Sequence, residues 1–531
     1  MPHRAPLNRA FGRRRFLASA GAFAAGTLAS ALPRTAAVAQ AGLRLGPPQA
    51  YDYDRLLALA RTIAASPYAA PAEVDPLVLE RLDFDAMQRI SFRPEFALWG
   101  GPDGYGVRLF HLHRYQKLPV RLFEVAGGQA RELLYTPAAF DYGGSGLARQ
   151  LPLDRLGWAG FRVLTAEQTS DWLAFQGASY FRSSGAMDQY GLSARGLAID
   201  SGLETPEEFP RFSAFWLHRP APGDETLLLE ALLEGPSIAG AYRFRIARPG
   251  PVLMEVGCQL FSRREIRRLG IAPLTSMYWY DEADRRQGTD WRPEIHDSDG
   301  LALWTGAGER VWRPLNNPPA AVTNAFADRD PKGFGLLQRD RSFENYQDDG
   351  AFYDRRPSLW VEPLEPWGEG AVQLVELPTD DEIHDNIVAF WTPATPIKAG
   401  GSWGFAYRLH WLAEEPFPPA STARAVATRI GRGGIPGHPR PLGVLKFVID
   451  FAGGGLEQLR QRFDVTPVID ASRGQVSNAY ALKVVGTGRW RAAFDLEAGG
   501  EAPIDLRCFL RLEDEVLTET WLYQYLPALV R

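Results

Sequence analysis

Residues 242–246 read Tyr-Arg-Phe-Arg-Ile, and residues 405–411 read Phe-Ala-Tyr-Arg-Leu-His-Trp. In both stretches large apolar side chains alternate with polar or smaller ones, which is the period-two pattern of a strand with one buried face. The alternation returns at 446–451 and 506–512, and 52 glycines and 41 prolines are spread along the chain. Many short strands separated by turns favour a sandwich of sheets. We therefore predict a mainly β protein.

The 531 residues are enough for more than one domain. We predict a large N-terminal β-sandwich over 45–412 and a small immunoglobulin-like β-sandwich over 444–531. Residues 413–443 are rich in Pro and Gly and predict a linker with room for one helical turn. An amphipathic helix is expected at 53–65 because its apolar residues recur at helical spacing. Those residues are Leu56, Leu59, Ala60 and Ile63.

The N-terminus has the features of an export signal. Arg13-Arg14-Arg15-Phe16-Leu17 resembles the twin-arginine motif, and a weakly apolar Ala/Gly-rich stretch follows. Small residues at 37–39 predict a signal peptide over 1–39 with cleavage after Ala39. The alternative is an uncleaved membrane anchor, for which the stretch is short and poor in Leu and Ile. We predict a periplasmic protein that is exported folded by the twin-arginine pathway.

Charge, motifs and cysteines exclude several classes of function. The net charge of −5 gives no support to a nucleic-acid partner. The sequence has no GxxxxGK motif, no GxGxxG after a strand and no Cys/His cluster at ligand spacing, so we expect neither a cofactor nor a metal. Two cysteines, Cys258 and Cys508, lie on opposite sides of the predicted linker. A disulfide between domains is conceivable, but two buried free thiols are favoured.

Polar side chains are densest in three segments. Residues 294–300 read Glu-Ile-His-Asp-Ser-Asp-Gly, residues 312–317 read Trp-Arg-Pro-Leu-Asn-Asn, and residues 380–386 read Asp-Asp-Glu-Ile-His-Asp-Asn. Cleavage of a glycosidic bond needs a pair of carboxylic acids, one to protonate the leaving oxygen and one to act on water. Aromatic faces suit sugar rings, and Arg and Asn suit their hydroxyls. The pattern indicates a carbohydrate substrate, although such Asp-rich segments are also common turns.

Three other patterns favour structural interpretations. Ser193 lies in a near match to a nucleophile elbow that lacks its final Gly. Asp297 and Asp299 have calcium-like spacing without the other ligands of an EF-hand. His111 and His113 would share one face of a strand but have no third ligand nearby in the sequence.

Several motifs together resemble one known family. Its motifs are matched, in order and over essentially the whole mature chain, by Gly177-Ala-Ser-Tyr-Phe-Arg182, Tyr190-Gly-Leu-Ser-Ala-Arg-Gly-Leu-Ala-Ile-Asp200, Glu208-Phe-Pro-Arg211, Ala272-Pro-Leu-Thr-Ser-Met277, residues 312–318, Gly333-Phe-Gly-Leu-Leu-Gln-Arg339 and Asp385-Asn-Ile-Val-Ala389. The chain resembles the periplasmic glucan biosynthesis protein G and D family (OpgG/OpgD, also MdoG/MdoD). Its twin-arginine-like signal favours the D branch.

The resemblance implies a fold and an activity. It implies a large β-sandwich with a long cleft, joined to a smaller immunoglobulin-like domain. It also implies a role in making osmoregulated periplasmic glucans, whose backbone is β-1,2-linked glucose, and an inverting endo-β-1,2-glucanase activity. By resemblance Asp297 is the catalytic base and Asp385 the catalytic acid, with protons relayed through waters or a substrate hydroxyl. An inverting pair is expected roughly 6.5–9.5 Å apart or further.

Residues expected to bind the glucan surround these two acids. They are Tyr353, Arg356, Trp312, Arg313, Asn316, Asn317, His296 and Asp299. By resemblance Tyr353 lies near the proton relay, and Asp299 is dispensable because G-type members carry Asn there. His384 is a departure from some members; its two candidate roles are to tune the pKa of Asp385 or to pack, and packing is favoured.

Three functions remain open from the sequence. The first is hydrolysis of β-1,2-glucan. The second is transglycosylation or cyclisation by the same two acids, with a sugar hydroxyl in place of water. The third is a non-catalytic glucan-binding scaffold that works with an inner-membrane glucan synthase. The resemblance also allows a homodimer.

Overall fold

The computed structural model describes residues 42–72, 74–100, 106–221, 223–247, 252–419 and 421–527. The predicted signal segment 1–39 and its cleavage site lie outside these residues. Strands dominate the described chain, so the mainly β prediction is confirmed. The helical segments are short: Tyr53–Ala64, Pro76–Glu80, Phe84–Arg89, Pro94–Phe96, Pro137–Ala139, Leu147–Gln150, Leu153–Arg155, Gly185–Met187, Arg285–Gln287, Phe343–Tyr346 and Tyr353–Arg355.

The first sheet is a continuous ladder of strands that spans the described chain. In order of pairing its main strands are Gln129–Leu134, Arg121–Ala126, Arg211–His218, Thr226–Glu234, Ile238–Ala247, Val252–Ser262, Ser402–Leu412, Ser358–Pro363, Gly333–Leu337, Gly300–Trp304, Arg310–Pro314, Thr520–Tyr525, Ile504–Leu512 and Val465–Ala471. The short strands Arg44–Leu45 and Gln49–Ala50 pair with the first of these, and Glu515–Val516 pairs with Ile504–Leu512.

The second sheet has ten strands among the described residues and covers one face of the first. Nine run in the order Val322–Arg329, Glu369–Glu376, Ile387–Pro393, Leu269–Ser276, Ser193–Arg195, Tyr180–Ser183, Asp171–Gln176, Trp158–Leu164 and Val107–His111, while Leu197–Ile199 pairs with Leu269–Ser276. Two small sheets join Tyr278–Tyr280 to Ile295–His296 and Ser91–Phe92 to Phe140–Asp141.

Phenylalanine rings fill the space between the two large sheets. Phe161 and Phe175 of the second sheet lie 5.1 and 5.4 Å from the ring centre of Phe215 of the first. Phe181 lies 5.5 Å from Phe244 in the same way. Edge-to-face contacts of this kind add to the free energy of burying the rings. The alternating residues of 242–246 and 405–411 thus supply one inner face of the predicted N-terminal sandwich.

The predicted linker is wrong in its middle. Residues Arg424–Arg432 form a strand that pairs along its length with Val444–Ala452. Ala425 and Thr428 are the buried positions of this strand, and the Gly/Pro-rich stretch 433–443 is only the turn of the hairpin. With Trp490–Glu497 and Gln475–Lys483 it completes a four-stranded sheet.

The C-terminal sheet packs on the end of the long ladder. The Phe447 ring lies 6.3 Å from Trp521 and 6.1 Å from Tyr523, and all three side chains are buried. The C-terminal part therefore consists of two packed sheets, namely the four-stranded sheet and the end of the first sheet. Its immunoglobulin-like topology stays a prediction. One of its strands continues the first sheet through the parallel pairs of Val311 with Thr520 and of Trp312 with Trp521.

The predicted helix near the N-terminus is confirmed as Tyr53–Ala64. Asp52 caps it by accepting the Arg55 N–H at 2.9 Å, which satisfies a donor that the helix leaves open. Leu56 and Ala60 are buried on its inner side. The helix covers the outer face of the first sheet.

The two cysteines are buried free thiols, as the sequence favours. Cys258 lies in the core of the large sandwich and Cys508 in the C-terminal core. Among the described residues, no helix combines the length and apolar character needed to cross a bilayer.

A buried ion pair connects the two large sheets. Arg313 of the first sheet donates to Glu376 of the second at 2.9 Å, and each side chain is at most 2% exposed. Glu376 also accepts the backbone N–H of Asn316 at 2.7 Å. Removing one partner of such a pair leaves the other charge buried without compensation.

We predict that Arg313→Met lowers the free energy of unfolding by about 3–5 kcal/mol, because Glu376 keeps its burial and loses its cation. Urea denaturation would measure this loss. The control is Arg329→Met, which breaks an exposed ion pair with Glu369. Glu369 lies at the opposite end of the strand that ends at Glu376. An exposed pair contributes only about 0–1 kcal/mol, so equal losses in both variants would contradict the prediction.

Candidate active site

A side-chain clamp brings the two predicted catalytic segments together. The Asn386 amide accepts the N–H of Tyr278 at 2.8 Å and donates to its carbonyl at 2.9 Å. The backbone N–H of Asp297 donates to the neighbouring Met277 carbonyl at 2.8 Å. Asp297 and Asp385, which are 88 positions apart in the sequence, are therefore both held against one two-residue stretch of backbone.

Asp297 is a buried carboxyl group beside a single close cation. Its Oδ1 lies 3.5 Å from Nε of Arg356. Burial raises its pKa, and the positive charges of Arg356, Arg182 and His296 oppose that rise. The balance leaves the pKa above the ordinary value for Asp. Such a group accepts a proton more readily than a surface carboxylate.

Asp385 is exposed to solvent at the surface of the same site. Although the residue is solvent-exposed, protein atoms surround its carboxyl group closely enough to weaken its hydration, which raises its pKa, and repulsion from Asp297 raises the pKa further. Among the described residues no hydrogen bond fixes this carboxyl group. A carboxyl group with a raised pKa and a free approach is suited to donate a proton to a ligand.

Two arginines act on both acids. The charges of Arg182 and Arg356 each oppose the rise in pKa of Asp297 and of Asp385. Arg356 also donates to the Tyr190 carbonyl at 2.6 Å, and its guanidinium lies 5.0 Å from the Tyr353 ring centre. The acids thus form one electrostatic unit.

Tyr353 connects the acids to a further carboxylate. Its buried hydroxyl donates to Glu382, and Arg292 donates to both oxygens of Glu382 at 2.9 and 3.0 Å. Arg292 is itself held by Asp348 and Asp290. The negative charge of Glu382 adds to the raised pKa of Asp297. The network fixes Tyr353 and Glu382 beside the acid pair.

His296 and Asp299 support Asp297 from the interior. His296 is fully buried, with Nδ1 3.0 Å from the Gln338 Oε1 atom. Burial lowers its pKa, but a hydrogen bond to Glu294 and the charge of Asp299 outweigh burial and raise the pKa to about 9. We infer a protonated imidazole at neutral pH. These two predicted substrate ligands therefore lie behind the site and position its base.

An open pocket of about 360 Å³ adjoins the acids. Arg182 and Tyr190, which contribute to the acid site, form part of its wall. The other lining residues combine aromatic rings with imidazole, amide and carboxylate groups: Phe110, His113, Gln116, Asp171, Ala174, Gln176, Tyr180 and Phe181. On the loops around Glu382, Trp291 and Ile383 are 70% and 73% exposed. Rings and hydrogen-bonding groups on one concave surface suit a sugar chain.

Three of the predicted substrate ligands have their contacts inside the protein. Trp312 is buried under the Arg339 guanidinium, 3.6 Å from its ring centre, and Arg313 is paired with Glu376. Asn316 donates to the Gln524 carbonyl. We correct the assignment of these side chains as sugar ligands, because their polar groups bind other parts of the chain.

The Asn317 side chain also makes its hydrogen bonds inside the protein, but it lies close to the site. Its amide donates to the carbonyls of Trp279 and Thr379 and accepts the Thr379 N–H. It thereby fixes the start of the loop that carries Glu382 and Asp385.

Three residues of this site could not be predicted from the sequence. Arg182 and Glu382 lie inside the motifs quoted above, but charge and spacing gave no reason to assign them a role. Arg292 lies just before the first acidic segment. Only the contacts of the folded chain place all three beside Asp297 and Asp385. No group of three or more potential metal ligands occurs in the described part of the chain.

A cluster of further carboxyl groups lies between the site and the C-terminal sheet. Burial and mutual repulsion raise the pKa of Asp281 well above its ordinary value. Burial and the charge of Glu294 raise the pKa of Glu282 to about 8, and burial raises that of Asp284 to about 7. Glu282 accepts the backbone N–H of Thr428, on the strand that the linker prediction missed, at 2.8 Å.

Fold and site together define a β-sandwich protein with a coupled pair of acids beside a pocket of aromatic and polar side chains. The family model described as "Periplasmic glucan biosynthesis protein, MdoG" matches residues 51–525. The chain belongs to this periplasmic glucan biosynthesis family, and the predicted family is confirmed. Its compartment is the periplasm, as the N-terminal segment indicates, and the export route stays a prediction.

The chain is similar to curated relatives over nearly its full length. Two from Ralstonia nicotianae are "Glucans biosynthesis protein D 2", 50% identical over 97% of this chain and 98% of its own, and "Glucans biosynthesis protein D 1", 52% identical over 96% of each. "Glucans biosynthesis protein D" of Stenotrophomonas maltophilia is 50% identical over 97% of this chain and 98% of its own. These relatives are named for the D branch.

We predict that the protein loses thermal stability as the pH rises from 6 to 9. A carboxyl group whose pKa is raised on folding favours the folded state at low pH, and this contribution is lost as the pH passes the folded-state pKa. For Glu282 and Asp284 those values are about 8 and about 7. Melting temperatures across this range would measure the effect.

Glu282→Gln should flatten that dependence, because the amide keeps an acceptor for Thr428 and carries no charge. The control is Glu204→Gln at an exposed position. A pH dependence that is unchanged in Glu282→Gln would show that this carboxyl group is not responsible.

Proposed function

We propose that the protein hydrolyses the β-1,2-linked backbone of periplasmic glucans by an inverting mechanism. The observation that carries this proposal is that Asp297 and the loop with Asp385 are held against the same two residues of backbone, with Arg356 3.5 Å from Asp297. Family membership supports a role in glucan biosynthesis, and the β-1,2 linkage comes from the resemblance described above. Inverting cleavage of a glycosidic bond requires two carboxyl groups in different protonation states.

The two acids have different roles in this mechanism. Asp385, exposed and without a fixed hydrogen-bond partner, protonates the leaving glycosidic oxygen as the bond to the anomeric carbon breaks. Asp297, buried and 3.5 Å from Arg356, takes a proton from the attacking water. Water enters on the face opposite the leaving group, so the anomeric configuration inverts. Asp385 then regains a proton from solvent and Asp297 releases one to it, which restores both groups for the next turnover.

Tyr353 and Glu382 offer a route for protons beside the base. The Tyr353 hydroxyl donates to Glu382 and lies within the electrostatic reach of Asp297. Burial and this hydrogen bond raise the pKa of Tyr353, so the hydroxyl stays protonated at neutral pH. It can therefore orient a water or a sugar hydroxyl without ionising.

The adjoining pocket and the exposed Trp291 suit the sugar units on either side of the cleaved bond. Sugar rings present apolar C–H faces to aromatic side chains and hydroxyls to amides and charged groups. His113, Gln116 and Gln176 offer such polar groups in the pocket wall. Contacts made to units remote from the reacting bond can contribute to catalysis by positioning the substrate.

Transglycosylation is an alternative outcome of the same arrangement. A sugar hydroxyl that replaces water as the acceptor would give a new glycosidic bond, or a ring if the acceptor belongs to the same chain. A non-catalytic scaffold would need neither acid. The possible homodimer and the link to an inner-membrane synthase belong to this proposal as open expectations.

We predict that Asp385→Asn and Asp297→Asn each lower turnover of linear β-1,2-glucan by about 10²–10⁴-fold, the usual contribution of a general acid or base. Product masses, reducing-end counts and the anomeric configuration by NMR would follow the reaction. Asp380→Asn, at an exposed position of the same loop, is the control and should keep full activity.

The products distinguish the three functions. Shorter linear chains with more reducing ends support hydrolysis, and masses one water short of linear chains would instead mean cyclisation. New bonds without a gain of reducing ends would mean transfer. Unchanged glucan that still binds the protein would replace the enzyme proposal with the scaffold.

We predict that Arg182→Gln moves the whole pH–activity profile to higher pH. The charge of Arg182 lowers the pKa of both acids, so its removal raises both. Asp297 must be ionised and Asp385 protonated, so both limbs of a bell-shaped profile move in the same direction. Initial rates across the pH range would measure the shift.

The control for this profile is Arg355→Gln, which removes an exposed cation beside Arg356. Its profile should match that of the unmodified protein. A profile that loses amplitude in Arg182→Gln without moving would show that Arg182 binds substrate and does not tune the acids.

A further inference from the structure

A second pocket lies where the large sandwich meets the C-terminal sheets. Its volume is about 710 Å³. It is lined by the turn after strand Gly300–Trp304, by strands Ile504–Leu512 and Thr520–Tyr525, and by Phe417, Pro419 and Thr422. None of its lining residues belongs to the acid site or its adjoining pocket. Junctions between packed units are common places for ligand sites.

Phe417 is held in this pocket in a strained conformation. Its backbone φ is 55°, in the left-handed region that is unfavourable for a bulky residue. The Arg310 guanidinium donates to the Phe417 carbonyl at 2.6 Å and stabilises the turn. The ring is nevertheless 50% exposed. Strain that presents an aromatic ring to a pocket, and not to the core, points to a ligand.

A second aromatic ring is unusual for its position in a strand. Phe509 lies on the outward row of Ile504–Leu512, where its neighbours along the row are Arg507 and Arg511. It is only half-buried and lines the pocket beside Arg507, whose guanidinium is 5.0 Å from the ring centre. An outward position usually carries a polar side chain, so this ring is available to a ligand.

Hydrogen-bonding groups line the same pocket as these two rings. Arg507 donates to Glu309 at 2.8 Å, and the Thr520 hydroxyl donates to the same carboxylate at 2.6 Å. Lys332 lies 5.3 Å from the Trp304 ring centre and also lines the pocket. Donors and an acceptor side by side match sugar hydroxyls, which both donate and accept.

We propose that this junction pocket binds a segment of glucan chain, at a site separate from the acid pair. The inference rests on the proposed function in one respect, since it takes β-1,2-glucan as the ligand class. Phe417 and Phe509 would contact sugar rings, while Glu309, Arg507 and Lys332 bind hydroxyls. A chain held here raises the local concentration of glucan at the acid site.

Calorimetric titration of the Asp385→Asn protein with a short linear β-1,2-gluco-oligosaccharide of defined length tests this proposal. This background prevents turnover, so the number of bound oligosaccharides per chain can be counted. Phe509→Ala should bind one fewer per chain, and Phe417→Ala provides a second variant of the same pocket. Phe463→Ala, which removes an 88% exposed ring elsewhere in the C-terminal part, is the matched control.

The two proposals fail in different ways. Turnover by the unmodified protein with unchanged stoichiometry in both pocket variants would overturn the junction pocket and leave the enzyme proposal in place. If the unmodified protein shows no turnover and Phe509→Ala loses one binding site, the enzyme proposal is overturned and the junction pocket is kept. Loss of a site in Phe463→Ala as well would show that the change is not specific to the pocket and would also overturn it.

Discussion

The whole site depends on one amide side chain. Asn386 satisfies both the N–H and the carbonyl of Tyr278, so the loop that carries Asp385 cannot move away without leaving two buried backbone groups unpaired. Such groups are costly to leave without partners. Asp297 is held to the adjacent residue by its own backbone. The two acid-bearing segments are therefore both fixed to the backbone of residues 277–278, one by a short amide side chain and the other by a main-chain hydrogen bond.

The charges around the acids are arranged in layers. Arg182 and Arg356 oppose the rise in pKa that burial imposes on both acids. Behind them a protonated His296 offsets part of the negative charge of Glu294 and Asp299. The cluster that includes Glu282 lies further in, against the C-terminal sheet. The C-terminal part thus covers a face of the protein and also contacts the cluster of carboxyl groups that lies behind the site.

Local patterns predicted the elements better than their pairing. Alternation identified strands at 242–246 and 405–411 and helical spacing identified the helix at 53–64, because these signals are short-range. The strand at 424–432 was hidden by Pro/Gly-rich flanks. Resemblance supplied Asp297 and Asp385, whereas Arg182 reaches them only through the register of a ten-strand sheet. Trp312 and Arg313 have the side chains of sugar ligands, and only the packing of two sheets shows that they are interior.

The parallel pairing of Val311 with Thr520 has a consequence for how the chain acquires its structure. The partners are 209 positions apart. The long ladder cannot be completed until residue 520 has left the ribosome, and contacts this distant in sequence form slowly. A route that exports folded cargo would give such a chain time to finish in the cytoplasm. A route that threads an extended chain would leave this step to the periplasm.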